Sequence, residues 1–236
     1  MMTLRRIAVL STMILLVIAV LSCSEKQSAS EASLSDAQEL LGKMDYAGAI
    51  QIAESKVQDD STDSEVLAFL LRAHYFAGDT TAYRGLRSDL EAKDAPSAKL
   101  ALGHFYFYIG EFDSAANKFS LASSYSGYED VANHVEKARK GRLAETWADS
   151  AFQSLMQSQF LLAINRYNRA DSLWQQVTHD NLRARALSYR AFAFMRASDI
   201  LNAEKNITKS YEISQKTGDR WLLARILNIW GNIKDY

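Results

Sequence analysis

The stretch from Pro96 to Ala122, P-S-A-K-L-A-L-G-H-F-Y-F-Y-I-G-E-F-D-S-A-A-N-K-F-S-L-A, constrains this chain more than any other. Leu102-Gly103 is followed one turn on by Tyr106, then by Gly110-Glu111-Phe112, then by Ala115, Phe119 and Ala122. Small residues stand where two helices must touch, and large ones stand where the touching pair needs a lid. This pattern predicts a helix–turn–helix unit that buries one stripe internally and another against the next unit. It recurs along the chain, so the predicted fold class is all-α. A single Pro, Pro96, and ten Gly among 236 residues agree, because a β-sandwich or an α/β enzyme of this size needs more turn residues.

The recurrences can be aligned on one position of each first helix. Ala37, Leu71, Gly103, Ala151, Ala191 and Gly231 are spaced 34, 32, 48, 40 and 40. The extra residues of the long interval fall in Ser123 to Leu143, where Ser126-Gly127 breaks the pattern and Glu129 to Leu143 reads as charge-rich helix. That segment is either an elongated helix or an inserted one. Lys216-Thr217-Gly218-Asp219 closes the fifth unit, and the first helix of a sixth follows. The periods and crossing residues resemble tetratricopeptide repeat proteins, with units near 34 residues and 40-residue variants. The resemblance implies an α-solenoid of antiparallel helix pairs over residues 36–236, about five repeats plus a single C-terminal helix. That unpaired helix reads as a solvent-facing cap or as the mark of a truncated reading frame.

The amino end is of a different kind. Arg5-Arg6 precedes an apolar run from Ile7 to Leu21, 15 residues long. Spanning a bilayer takes about 20 apolar residues, so the run reads as a secretory signal over residues 1–22. It ends in Val20-Leu21-Ser22-Cys23, which holds the one cysteine of the chain. This junction resembles a bacterial lipobox, and the resemblance implies cleavage before Cys23 and lipid attachment to it. Several acyl chains, at about 0.8 kcal/mol per buried CH₂, give stable anchoring. Residues 23–35 are Ser-rich and nearly free of large apolar groups, and read as a flexible tether. The expected location is a bacterial cell envelope, with the outer membrane preferred because Ser24 lacks the inner-membrane retention signal of the family rule.

Charge separates along the chain. Residues 24–136 carry 9 Lys and Arg against 19 Asp and Glu, whereas residues 137–236 carry 16 against 9. Opposite fields of this kind steer a charged partner or favour self-association. A search for chemistry is unproductive. His74, His104, His134 and His179 make no metalloprotease-like pair, there is no Cys cluster for zinc, and no phosphate loop or nucleophile elbow occurs. No enzymatic role, cofactor, metal or small-molecule substrate is expected. Basic and aromatic residues do mix near Arg183, Arg190 and Trp221, but an exported protein rarely meets nucleic acid, so none is expected as partner.

In the repeat family the first helix of each pair lines a concave groove. Carried over by position, the resemblance implies a groove of Arg72, Tyr75, Phe76, His104, Phe107, Tyr108, Asp149, Phe152, Arg185, Tyr189, Phe192 and Arg196. Such a surface suits an extended or helical peptide, with Arg to fix carboxylates. The same aromatics read equally as packing against neighbouring helices. The functional expectation is a lipid-anchored envelope scaffold binding protein or peptide partners. Two alternatives stay open, an extracytoplasmic sensor-type repeat domain and an outer-membrane assembly lipoprotein.

Overall fold

The computed structural model describes residues 32–235. The expected signal, Cys23 and most of the Ser-rich stretch lie outside the described residues. Within them are eleven α-helices, one 3-10 turn and no strand. The helices are α1 Leu34–Gly42, α2 Tyr46–Asp59, α3 Ser64–Ala77, α4 Thr80–Ala92, α5 Pro96–Ile109 and α6 Phe112–Ser123. After the 3-10 turn Glu129–Val131 come α7 Ala132–Met156, α8 Phe160–Val177, α9 Asp180–Arg196, α10 Ile200–Ser214 and α11 Arg220–Lys234. No described helix is long and apolar enough to cross a membrane.

Short polar residues start most of these helices. Ser33 and Asp36 form a reciprocal capping box on α1, so Ser33 to Ser35, expected within the tether, belong to the first helix and its cap. Asp45, Asp63, Asp79, Asp199 and Asp219 each accept from a first-turn amide of the helix that follows. Helix α5 instead opens with Pro96, whose missing N–H would have been an orphan there. Helices α2, α6, α8 and α10 bury a single stripe at helical spacing, such as Phe112, Ala115, Phe119 and Ala122 of α6. Helix α9 is buried more widely, because it packs on α8, α10 and α11. Helix α4 buries only Leu90, the weak second helix that Tyr83 foreshadows.

The turns after α1, α3, α5, α7 and α9 share one backbone device, and left-handed Thr178 and Gly218 stand likewise before α9 and α11. Met44, Gly78, Gly110, Ser158 and Ser198 have positive φ, and each stands two residues before the next helix begins. In each turn the following amide bonds back to a carbonyl of the preceding helix, as Glu111 N does to Tyr106 O at 2.9 Å. The intervals between these left-handed residues are 34, 32, 48 and 40, the same as those read from the crossing residues. The long interval is accounted for by α7, which runs 25 residues without interruption through Gly141. The segment between Ser123 and Leu143 is therefore an elongated helix preceded by a loop, and not a separate inserted helix.

The core is distributed along the chain. One apolar cluster joins α1 to α3, a second joins α3 through α7, a third joins α6 through α9, and a fourth joins α9 through α11. Two glycines permit the closest crossings. A Cβ on Gly103 would stand 2.6 Å from the ring of Phe119, and one on Gly141 would run into the ring of Phe112.

Two sets of contacts depart from this nearest-neighbour order: His179 at the start of α9 bonds to Phe107 of α5, and a second set runs to the first helices of the chain. The loop between α10 and α11 returns to the first helices. Lys216 O accepts from Gln38 Nε2 at 3.3 Å, and Gly218 O accepts from the Tyr46 hydroxyl at 2.9 Å. Gly218 has φ +73, and a Cβ there would meet the carbonyl oxygen of Leu41 at 2.5 Å. Only Gly satisfies both the backbone angle and the approach.

Candidate functional site

The inner surface is built from α3, α5, α7, α9 and α11, with the returning loop laid across it. Tyr108 sits at the centre. Its hydroxyl donates to Thr217 O at 3.0 Å, and the Arg72 guanidinium lies over its ring at 4.3 Å. Burial pushes the Tyr108 phenol up to about 12, against the opposing pull of Arg72. The Tyr108–Thr217 bond divides the inner surface into two regions, and the residues expected to line a groove fall on both sides.

On one side, Tyr75, Phe76 and Tyr108 face Arg185 and Arg225 across a cavity of about 220 Å³. The same two arginines border an adjoining cavity of about 180 Å³ formed by Asp149, Phe152, Tyr167, Trp174 and Tyr189. The floor of the second cavity is polar in a concealed way. The Tyr167 hydroxyl and the Trp174 indole N–H are buried without a hydrogen-bond partner among the described residues. Desolvation raises the Tyr167 pKa, and the Arg185 charge opposes that rise. Arg225 donates to the Tyr189 hydroxyl at 2.9 Å, and Phe152 packs edge-on against Tyr189 at 5.2 Å. Neither Arg185 nor Arg225 has an ion-pair partner among the described residues. Asp149 is exposed, and Asp219 is committed to capping α11.

On the other side, Arg72, His104, Phe107 and Tyr108 border a cavity of about 570 Å³ that opens beside α1. His104 also serves the core. It packs against Phe119 and His134 with ring centroids 5.2 and 5.0 Å away, and burial lowers its pKa to about 4. Phe107 packs edge-on against Phe112, and its carbonyl accepts from His179 Nε2 at 2.8 Å. His179 caps α9 through Nδ1, so it is held neutral with the proton on Nε2, and burial lowers its pKa to about 4.

Phe192 and Arg196 are placed differently from the other ten. Neither borders these cavities; Arg196 stacks on Phe160 at 5.1 Å and on Phe192 at 5.9 Å, bracing α8 against α9. Arg225 joins the site although the groove was read only as far as α9. The signal was available, since Arg225 follows Arg185 by one 40-residue period. Thr217 was not legible as a groove residue, because its place depends on the loop returning across the inner face.

Among the described residues no group of three or more His, Cys, Asp or Glu is placed to hold a metal ion. The arrangement offers unpaired guanidinium groups between aromatic walls, which is a setting for binding carboxylates. No protein-family model matches this chain, and no curated protein matches it.

Proposed function

We propose that this chain is a tetratricopeptide-like solenoid that is lipid-anchored in a bacterial envelope and holds an acidic, extended segment of a partner protein on its inner face. The repeat reading is supported by the five left-handed turn residues at the intervals of the crossing residues, and by a core that passes from each helix pair to the next. The anchoring reading rests on Val20-Leu21-Ser22-Cys23 alone. Outer-membrane placement is the preferred form of it.

The observation that carries the binding reading is the pair Arg185 and Arg225. They stand one repeat apart, between Tyr75, Phe76, Phe152 and Tyr189, with no carboxylate partner among the described residues. Arg185 is half-buried and Arg225 exposed, so an incoming carboxylate adds a charge-assisted contact to guanidinium groups that the chain itself leaves without an anion. The aromatic walls then add apolar contact to either side of the acidic residue.

A photo-crosslinking residue at Phe152, introduced in cells, tests this directly. The captured partner segment should be acidic, and Arg185→Gln combined with Arg225→Gln should cut its capture at least tenfold. A charge-assisted hydrogen bond contributes roughly 1.5–3 kcal/mol, so losing two exceeds that threshold. Unchanged capture by the double variant would refute the reading. In the same cells, labelled palmitate should enter the native protein and fail to enter Cys23→Ser; equal labelling of both would refute the anchor.

A further inference from the structure

Arg72 is a cation in the wrong place for a purely structural residue. Its Nε is buried without a hydrogen-bond partner, and one terminal nitrogen donates to the neutral side-chain oxygen of Gln38. Its guanidinium is sandwiched between the rings of Phe69, at 4.8 Å, and Tyr108, at 4.3 Å. No carboxylate among the described residues lies within ion-pair distance of it, and Glu65 at the cavity margin is exposed. Burial lowers its pKa, as desolvation of an uncompensated cation must. Interior charges in proteins are paired unless something outside the chain completes them.

The space beside Arg72 is large enough to hold such a group. A cavity of about 570 Å³ and an adjoining one of about 290 Å³ share Gln38, Arg72, Phe107, Tyr108 and Thr178. Ligand sites of this scale combine apolar walls with a few placed polar groups; here Phe69, Phe107 and Tyr108 are the apolar walls, and Glu65, Asp180 and Lys216 are exposed at the margin. The Tyr108–Thr217 bond stands between this space and the Arg185 side.

We infer that the cavity beside Arg72 binds a small carboxylate-bearing molecule with an apolar or aromatic body. The carboxylate meets the Arg72 guanidinium and the amide of Gln38, and the body lies against Phe69, Phe107 and Tyr108. This site is separate from the Arg185–Arg225 cleft and does not depend on the partner-binding reading.

Phenylacetate and phenylacetamide have one shape and differ in charge, so they serve as probes in calorimetric titration of the full chain in detergent. Phenylacetate should bind saturably, at least tenfold more tightly than the amide. Titrated in the Arg185→Gln, Arg225→Gln chain, where the cleft cannot hold the acid, Arg72→Gln should abolish that preference. Should Arg72→Gln fail to fold, Arg72→Lys keeps the charge but not the paired stacking, and should weaken phenylacetate binding severalfold. Absence of saturable binding, equal binding of acid and amide, or an Arg72 variant that binds like the native chain would each overturn the inference.

Discussion

Single residues carry two kinds of signal here, and they answer to different physics. Crossing residues such as Gly103 and Ala151 were legible because steric need is local and periodic. The roles of His104 and His179 were not, because they depend on which helix arrives against them. Both are held neutral by burial, at about 4 in the folded chain. The unfolded reference for His is about 6.5, so the unfolded chain takes up protons first as pH falls. Stability from these two residues is complete above about pH 6.5 and drains away as pH drops toward 4. Urea midpoints should therefore fall between pH 7.5 and pH 5, and His179→Asn should flatten that slope. A native midpoint that is constant over this range would refute the assignment. The buried cluster in which Asp171 binds Arg183 at 2.8 Å and Arg190 at 3.5 Å, with Asn206 on Arg190 at 2.7 Å, is a further case of polar groups that only tertiary contact explains.

At the level of elements, the sequence periodicity and the structure coincide closely. All six aligned positions fall in α1, α3, α5, α7, α9 and α11, and five of them are buried. Gly231 is exposed, with open space where a side chain would be. The ambiguity between an elongated and an inserted helix could not be resolved from the sequence, because Gly141 reads equally as a helix end or a helix crossing. It is a crossing, packed on Phe112, which is itself fixed between Phe107 and His179. Ala in place of Gly favours a helix by about 1 kcal/mol, whereas overpacking a fixed core costs roughly 1–3 kcal/mol. At Gly141 the clash should win, and Gly141→Ala should lower stability by up to about 2 kcal/mol. At Gly85 nothing lies within 4 Å of an added Cβ, so Gly85→Ala should raise stability by up to about 1 kcal/mol. Denaturant unfolding of the two variants should show opposite signs, and a shared sign would contradict the packing described for α6 and α7.

For the whole molecule, the informative feature is the one that periodicity could not supply. Repeated crossing residues specify how each helix meets its neighbour, but the accumulated rotation over five pairs decides whether distant parts meet. Here the loop at Lys216 to Gly218 reaches α1 and α2, ties to Tyr46 and Tyr108, and divides the inner face between the Arg72 cavity and the Arg185–Arg225 cleft. That division is why two separate ligands are proposed for one surface. Closure is best tested by pairing Gln38→Cys with Lys216→Cys in a Cys23→Ser background, where no other thiol is present. Mild oxidation should give a rapid disulfide within one molecule, seen as faster migration of a monomer under non-reducing denaturing conditions. Failure to form that bond, or bonds formed only between molecules, would mean that the loop does not return and that the inner face is a single open groove.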